Sequence, residues 1–498
     1  MFGVACAHTG VVLRVALGIP NPGCTRLIEK FGEATGVPMV LNTSFNLKEE
    51  PIDHPRQRPE HLRQERDGPA GVGESLGFKI RSDSLGVPSR SGSVPSRRSE
   101  GQNMKIGIYQ PYWGEIGGSQ FYAAVLAQAL SQNHSVHIVH PRRNFDRQEI
   151  EEKLQLDLSK VAFRPVPPMP RAYADTCNPI RRIRTDRCWG ESLSTPYDVF
   201  INSFERVPFA CHAPKGVLVT HFPFERFESF YRMYSEGWRR KGLLARLLSR
   251  SYYITDWSYR FGTYPLKIAS SKFTQRWLKR LWGANSHVVY PPVRDGFVRV
   301  AKGNHIVSVA RFYDDTRNHH KKQPILIDTF QQLAQSSLQA WEYQQIGYLL
   351  PERDTPYYDG LVARAQGYPI RLIANASGKE LRSCLEEAKI FWHATGFGED
   401  ETTHPERMEH FGITTVEAMA AGCVPIVINS GGQPEIVEHG VNGFLWNTLG
   451  ELKHYTSLVS RDEALRERLS EAARRRARMF SREEFVKSVL RVMEPLLR

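Results

Sequence analysis

The chain has 498 residues, about three domains at roughly 150 residues each, and 41% of its residues are hydrophobic. This apolar content excludes a wholly disordered chain. The seven cysteines are odd in number and include no CxxC pair, so neither a disulfide framework nor a zinc ribbon is predicted. No apolar run approaches the roughly 18 residues of a membrane-spanning helix. We therefore expect a protein of the reducing cytoplasm.

The positive charge of the chain is concentrated in its middle. Residues 1–103 carry 13 Lys and Arg against 11 Asp and Glu, residues 104–300 carry 29 against 16, and residues 301–498 carry 24 against 26. A single basic segment indicates a local anionic partner. Binding of nucleic acid is the alternative, but no DNA- or RNA-binding motif accompanies the charge, so nucleic acid is not predicted as a partner.

The densest basic stretch, residues 238–250, has the pattern of an amphipathic helix. Its leucines recur at helical spacing while its arginines take other positions: Leu243, Leu244, Leu247 and Leu248 against Arg239, Arg240, Arg246 and Arg250. One interpretation is peripheral contact with the anionic inner face of a membrane. The other is a surface helix whose apolar face packs on the core.

From Lys105 onward, strand patterns alternate with helix patterns. Strands are predicted over 105–109 and 135–140, with a helix over 120–132 between them and Ser119 as its N-cap. The second half is predicted to contain further strands over 304–310, 370–375, 390–394 and 424–428, and helices over 323–334, 379–388 and 414–421. This alternation predicts an α/β fold with two doubly wound, Rossmann-like domains facing across a cleft.

The predicted boundaries divide the chain into five parts. Two of these precede the α/β region: a short fragment over 1–55 and a disordered linker over 56–103, rich in Pro, Gly, Ser and Arg. The first Rossmann-like domain covers 104–295, the second covers 296–475, and a helical segment covers 476–498.

Three groups of residues follow predicted strands at the cleft. Gly117 and Gly118 precede the first helix, where glycines allow a phosphate to approach the backbone and the helix N-terminus. A simple turn is the alternative there. Arg311 follows a strand, and Lys321 or Lys322 precedes the next helix; together they suit a diphosphate. A solvated charge cluster is the alternative there.

The segment Glu409–Gly422 (EHFGITTVEAMAAG) carries the sharpest pattern in the sequence. Glu409 precedes a predicted helix and Glu417 lies within it. Gly412 permits a tight turn, and the free N–H groups near Thr414 and Thr415 suit a phosphate, with Ile413 also expected at the donor site. The two carboxylates suit sugar hydroxyls.

This segment, with 391–396 before it and CVPIVINSGGQPEIVEHGVNGF after it, resembles the donor half of the family 4 (group 1) glycosyltransferases. The resemblance extends over about residues 104–490 and implies a retaining enzyme of the GT-B fold. It implies that Glu409 contacts the donor sugar, Glu417 holds the nucleotide ribose, and Arg311 and Lys321 bind the diphosphate. His221, in the sequence VTHFP, resembles the catalytic-cleft histidine near the acceptor; a structural histidine is the alternative.

The resemblance also implies the partners and the reaction. The expected donor is a nucleotide diphosphate sugar, GDP-mannose or a UDP-sugar, and the expected acceptor is a glycan or a lipid-linked glycan. No cofactor and no metal ion are expected, and Glu399, Asp400 and Glu401 are predicted to face solvent. A GT-B phosphorylase is the alternative enzyme.

The beginning of the chain has a different resemblance. The segments 27–32 and 35–46, followed by Glu50-Pro51-Ile52, are similar to the C-terminal part of the NodU/CmcH carbamoyltransferases. Only about 50 residues are involved and none resembles a catalytic core. A remnant without its own activity is expected.

Overall fold

The structure is a computed structural model that describes most of the chain after residue 102 and two short segments before it. The described residues are 4–6, 39–41, 103–113, 117–141, 146–168, 179–203, 208–224, 226–227, 243–313 and 321–498. The chain divides into two compact units, 1–96 and 97–498. In the first unit, strand β1 (Val4–Cys6) pairs antiparallel with β2 (Met39–Leu41). The predicted linker lies outside the described residues except for Asn103.

The first half of the second unit contains a seven-stranded parallel sheet in the order β5-β4-β3-β6-β7-β8-β9. Its strands are β3 (Lys105–Tyr109), β4 (Ser135–His140), β5 (Val161–Pro165), β6 (Val199–Asn202), β7 (Lys215–Thr220), β8 (Leu266–Ala269) and β9 (His287–Val288). Its helices are α1 (Gly118–Leu130), α2 (Arg147–Leu154), α3 (Pro179–Ser194), α4 (Leu243–Gly262) and α5 (Lys272–Trp282).

The second half contains a six-stranded parallel sheet in the order β12-β11-β10-β13-β14-β15. Its strands are β10 (Gly303–Val309), β11 (Glu342–Gly347), β12 (Ile370–Ala374), β13 (Ala388–His393), β14 (Val424–Ile428) and β15 (Phe444–Trp446). Its helices are α6 (Gln323–Ala334), α7 (Pro351–Ala365), α8 (Gly378–Glu387), α9 (Ile413–Ala421), α10 (Gln433–Ile436), α11 (Leu449–Arg461) and α12 (Glu463–Ala477).

Strands of both sheets are buried on both faces, as is usual in parallel sheets. Every residue of β6 and of β14 is buried, which requires helices on each side of the sheet. Two separate apolar clusters, one on each face, cover the second sheet. The predicted α/β fold with two Rossmann-like domains is confirmed.

The strand orders place the candidate residues at the switch points of the two sheets. Strand β3 has β4 on one side and β6 on the other, and β10 has β11 on one side and β13 on the other. At such points the connections leave in opposite directions and open a crevice at the carboxyl ends of the strands. The loops that follow β3, β10 and β13 carry Gly117, Arg311 and Glu409.

The start of α1 differs from the prediction. Gly117 is the N-cap, and Ser119, predicted to cap the helix, lies inside its first turn. The side chain of Gln120, in the third position of the helix, accepts a hydrogen bond from the Gly117 amide (2.9 Å), while the glycine itself has no side chain to cap the first amides. The helix therefore begins directly at the glycine pair.

The last helix, α13 (Arg482–Leu497), packs on the first half of the unit although it follows the second half in sequence. Phe485, Val489 and Met493 belong to the same apolar cluster as Ile106 of β3. The ring of Phe485 lies 4.8 Å from that of Tyr122 in α1. The predicted C-terminal helical segment therefore joins the two halves.

The basic stretch 238–250 is described only from residue 243, where α4 begins. Arg239, Arg240 and Lys241 lie outside the described residues. None of the helices in the described part of the chain is long and apolar enough to cross a bilayer.

Candidate active site

Glu409 is the centre of a charged cluster formed by three elements of the second half. Lys321 Nζ lies 2.8 Å from Glu409 Oε2, and His393 Nε2 lies 3.1 Å from the same oxygen. Lys321 stands just before α6, His393 ends β13, and Glu409 belongs to the loop that leads into α9. The topology thus brings together residues that are 16 and 88 positions apart.

Burial and the nearby charges set the protonation states of Lys321 and His393. Burial lowers the pKa of the Lys321 ammonium, but the adjacent Glu409 carboxylate outweighs burial and raises this pKa above its ordinary value. Burial lowers the pKa of His393, despite the opposing effect of its hydrogen bond to Glu409. His393 is therefore neutral near pH 7 and donates from Nε2 to Glu409. Its Nδ1 is buried and has no hydrogen-bond partner among the described residues.

Lys322 has a different partner, and this separates it from Lys321. Its Nζ lies 2.7 Å from Glu399 Oε1, and Arg407 holds the other oxygen of that carboxylate at 2.9 Å. Of the two lysines that the sequence left open, Lys321 is the one beside Glu409.

Of the three acidic residues predicted to face solvent, Asp400 is exposed, but the prediction is wrong for Glu399 and Glu401, which are half-buried and engaged in ion pairs. Glu401 Oε1 lies 3.0 Å from Arg276 of α5, in the first half. Among the described residues, no group of three His, Cys, Asp or Glu is arranged to hold a metal ion.

Gly412 provides the turn that starts α9. Its φ of +116° is in the left-handed region, and a Cβ built there would lie 2.5 Å from Gln433 Nε2. The Gly412 carbonyl accepts hydrogen bonds from the amides of Thr415 and Val416. The amides of Ile413 and Thr414 lie in the first turn, where helix geometry provides no acceptor inside the helix. These two amides are available to an anion, whereas the Thr415 amide, which the sequence also assigned to the phosphate, is occupied by the Gly412 carbonyl.

The glycine pair of the first half lies against the second half. A Cβ built on Gly117 would lie 2.8 Å from Arg311 Nη2, and one built on Gly118 would lie 2.5 Å from Ile413 Cδ1. A side chain at either position would therefore displace the end of the Arg311 or Ile413 side chain, although neither glycine has a left-handed backbone. Gly117, Gly118, Arg311 and Ile413 are brought together, as the sequence predicted.

His221 follows directly on the end of β7. Its carbonyl accepts hydrogen bonds from Ser270 Oγ and Thr274 Oγ1, which fixes the backbone. Its ring lies 5.3 Å from the ring of Tyr122 in α1, in an edge-on arrangement. His221 is thus held between β7 and the helix that begins at the glycine pair.

The residues that follow His221 and Glu409 pack on each other. The ring of Phe222 stacks on that of His410 at 4.0 Å and 10°. Burial lowers the pKa of His410 to about 3, so this imidazole is neutral and acts as a packing group. The stack brings the end of β7 next to the Glu409 loop.

Glu417 does not join the Glu409 cluster. It lies on α9 with 2% of the residue exposed, and Arg294 Nη1 lies 3.1 Å from its Oε1. The Arg294 guanidinium carbon in turn lies 5.6 Å from the ring centroid of Phe121 in α1. The two glutamates therefore occupy separate environments, one beside a lysine and one beside an arginine.

A second carboxylate ties the two halves together beside the site. Glu435 accepts hydrogen bonds from the amides of Lys272 (2.8 Å) and Phe273 (2.7 Å), the first amides of α5. Ser271 Oγ donates to the His410 carbonyl at 2.6 Å. The N-terminus of α5 is thus fixed to the loop that carries Glu409.

The sequence did not identify His393, Arg294 or Glu435 as site residues. Of these three residues, only His393 could have been identified from the sequence, because it is a polar residue at the end of an apolar strand, where ligands bind in such sheets. Arg294 and Glu435 follow no pattern of their own, and only their contacts reveal them.

Known protein families match most of the chain in consecutive segments. Residues 116–296 match the family described as Glycosyltransferase Family 4, and residues 295–476 match Glycosyl transferases group 1. Residues 11–65 match the Carbamoyltransferase C-terminus family. The resemblances found in the sequence are thereby confirmed for both parts of the chain.

Two curated relatives are mannosyltransferases. A GDP-Man:Man(3)GlcNAc(2)-PP-Dol alpha-1,2-mannosyltransferase of Dictyostelium discoideum is 26% identical over 234 residues, 44% of this chain and 44% of the relative. The human alpha-1,3/1,6-mannosyltransferase ALG2 is 26% identical over 263 residues, 49% of this chain and 62% of the relative. The chain therefore spans about half the length of these relatives.

Solved structures share the fold at low sequence identity. Sucrose-phosphate synthase from Thermosynechococcus elongatus is 16% identical with a TM-score of 0.55, covering 79% of this chain and 99% of that one. Alr3699/HepE from Anabaena, solved with UDP and glucose, is 15% identical with a TM-score of 0.54, covering 79% and 100%.

Proposed function

Because residues 116–476 belong to the group 1 (family 4) glycosyltransferases, we propose that the protein is a retaining hexosyltransferase. It transfers a hexose from a nucleotide diphosphate sugar to a glycan or lipid-linked glycan. The observation that carries this proposal is the Lys321–Glu409–His393 cluster beside the N-terminus of α9. This arrangement groups one carboxylate, one half-buried cation and the first amides of α9 at the carboxyl ends of the second sheet.

The donor diphosphate is assigned to the positive groups at this crevice. Departure of a nucleoside diphosphate leaves negative charge on its terminal phosphate, which cations and oriented amides stabilise. Arg311, Lys321 and the first amides of α9, at Ile413 and Thr414, supply that stabilisation. Gly117 and Gly118 allow the diphosphate to approach the backbone of the first half.

The sugar and the acceptor are assigned to the other predicted residues. Glu409 faces the donor sugar, where its charge stabilises the positive charge that develops at the reacting carbon. His221 stands on the acceptor side of the crevice, and Glu417 holds the ribose. Retention of configuration without an enzymatic nucleophile implies same-face attack, in which the departing phosphate helps to deprotonate the acceptor hydroxyl.

GDP-mannose is the proposed donor, and no metal ion is proposed to take part. Both curated relatives are mannosyltransferases by name, and one of them is named for GDP-Man. Arg311 and Lys321 place two cations where a metal ion would otherwise balance the diphosphate. UDP-sugars are the competing donors.

A donor panel tests this proposal. In the presence of EDTA, GDP-mannose is expected to raise the Tm of the full chain more than UDP-glucose does, since a ligand at a hundred times its Kd stabilises a protein by about 2.7 kcal/mol. With an acceptor glycan, NMR of the product is expected to show retained anomeric configuration. Release of a sugar phosphate from a glycan by inorganic phosphate, with no response to nucleotide sugars, would indicate a phosphorylase instead.

We also propose that α4 contacts an anionic membrane. Leu247 and Ile254 are 57% and 46% exposed, and they lie seven residues apart on one face of the helix. Arg250, also exposed, lies between them. Exposed apolar groups with an interspersed cation suit the interface of an anionic bilayer.

Binding to vesicles is expected to rise with anionic lipid content and to weaken as salt screens the charges. The change Arg250→Glu is expected to weaken binding at least about fivefold, since each charge near the surface contributes about 1 kcal/mol. Co-sedimentation measures this, with Val441→Asn as the control because Val441 is 50% exposed in the second half. Equal binding of the wild type to neutral and anionic vesicles would exclude the proposal.

A further inference from the structure

The buried position of Glu417 requires a compensating partner. With 2% of the residue exposed, its carboxylate is costly to bury unless a counter-charge and hydrogen-bond donors face it. Arg294 supplies both, by donating from Nη1 to Glu417 Oε1 at 3.1 Å. The second oxygen, Oε2, has no hydrogen-bond partner among the described residues. One oxygen is therefore held by the protein and the other is available to a ligand.

The guanidinium of Arg294 is itself fixed by the first half of the unit. Its central carbon lies 5.6 Å from the ring centroid of Phe121, which is 3% exposed and stands three residues after Gly118 in α1. An arginine can lie on an aromatic ring with its face while its edge donates to a carboxylate, which a lysine cannot do. Arg294 therefore connects Glu417 with the helix that begins at the glycine pair.

From this geometry we infer that Arg294 is a positioning residue for the donor nucleotide. It holds Glu417 Oε1 so that Oε2 is directed to the ribose hydroxyls, and it keeps that carboxylate aligned with α1. The inference rests on the proposed function, because it assigns the ribose of a nucleoside diphosphate to Glu417. It adds that recognition of the ribose depends on a residue outside the signature segment.

The test is a comparison of two ligands that differ only at the ribose. Isothermal titration with GDP and with 2′,3′-dideoxy-GDP is carried out on the full-length wild type and on four variants: R294Q, R294K, E417Q and the double variant R294Q/E417Q. If the donor panel selects a uridine nucleotide, UDP and its dideoxy analogue replace this pair. The ratio of the two dissociation constants measures recognition of the hydroxyls independently of the diphosphate.

The wild type is expected to bind GDP about 10- to 150-fold more tightly than the dideoxy analogue, the range expected for hydrogen bonds to a charged group. R294Q is expected to weaken GDP binding about tenfold and to change binding of the analogue less than about twofold. R294K is expected to lose less GDP affinity than R294Q, because lysine keeps the positive charge but not the guanidinium geometry. The double variant is expected to resemble E417Q, because the two residues act as one unit.

Arg482 provides a matched control. Its guanidinium carbon lies 5.9 Å from the same Phe121 centroid, but its Nη2 is directed to Asp295 at 3.4 Å and not to Glu417. R482Q is therefore expected to keep the wild-type ratio. A loss of the ratio in R482Q would show that packing on Phe121, and not orientation of Glu417, is what matters, and would overturn the inference.

The remaining outcomes separate this inference from the proposed function. If E417Q keeps the wild-type ratio, Glu417 does not bind the ribose, and the proposed donor site fails together with the role of Arg294. If E417Q lowers the ratio but R294Q and R294K leave it unchanged, only the inference fails. Tighter GDP binding by R294Q would show that Arg294 competes with the nucleotide. Additive losses of affinity in the double variant would show that Arg294 and Glu417 act independently. Either result contradicts the inference that Arg294 positions Glu417.

Discussion

Replacing Glu409 with glutamine is expected to lower kcat by about 10²- to 10³-fold while the Kd of GDP changes little. The amide keeps the size of the side chain and accepts the hydrogen bonds from Lys321 and His393, but it removes the negative charge. A charge that acts on the developing positive carbon stabilises the transition state more than the ground state. Steady-state kinetics and isothermal titration on the same variant measure the two quantities separately.

Glu399→Gln is the control for this substitution. Glu399 pairs with Lys322 at 2.7 Å, as Glu409 pairs with Lys321 at 2.8 Å, and the two carboxylate side chains are 16% and 18% exposed. It differs in its other partner, Arg407, and in standing outside the Glu409 cluster. Loss of kcat is therefore expected only at Glu409. A Glu409→Gln variant with normal kcat, or one that fails to bind GDP, would contradict the assigned role.

Replacing Gly412 with alanine is expected to reduce kcat/KM by at least about 100-fold. The backbone there has φ +116°, which costs an L-residue about 1–3 kcal/mol, and the new Cβ would lie 2.5 Å from Gln433 Nε2. Gln433 is fully buried, and its Oε1 accepts a hydrogen bond from Thr415, so it cannot move aside without breaking that bond. The loop must shift instead, and a displacement of about 1 Å at a reacting group costs about 10²-fold in rate.

Gly440→Ala separates backbone strain from crowding. Gly440 also has a positive φ, +75°, but a Cβ there meets no atom within 4 Å. Its alanine variant is expected to lose stability, measured as Tm, with nearly normal kcat/KM. Equal losses of kcat/KM in the two variants would show that the close approach to Gln433 has no special importance for the site.

The local elements were predictable because their signals are local. The strands Ser135–His140 and Val424–Ile428 and the helix Gln323–Ala334 have the predicted bounds. The end of α9 at Gly422, with φ +87°, follows from the freedom of glycine in the left-handed region. The predicted start of α1 was wrong because serine is a typical N-cap residue, whereas the folded chain caps the helix at Gly117 and uses Gln120 to accept from the Gly117 amide.

The sequence by itself determined the two parallel sheets and the residues that stand at their carboxyl ends, among them Arg311 and Glu409. Apolar runs and strand–helix alternation report which residues are buried, and the parallel topology then places those strand ends at one crevice. The roles assigned to these residues rest in addition on the resemblance to the family 4 glycosyltransferases.

Only the tertiary structure decided which partner each of these residues has. Lys321 rather than Lys322 lies beside Glu409, and Arg294 rather than a residue of α9 holds Glu417. Glu435 binds the amides of α5 from 162 and 163 positions away. Such pairs follow from the packing of one half on the other, and hydrophobic periodicity, which reports that a face is buried, does not report what covers it.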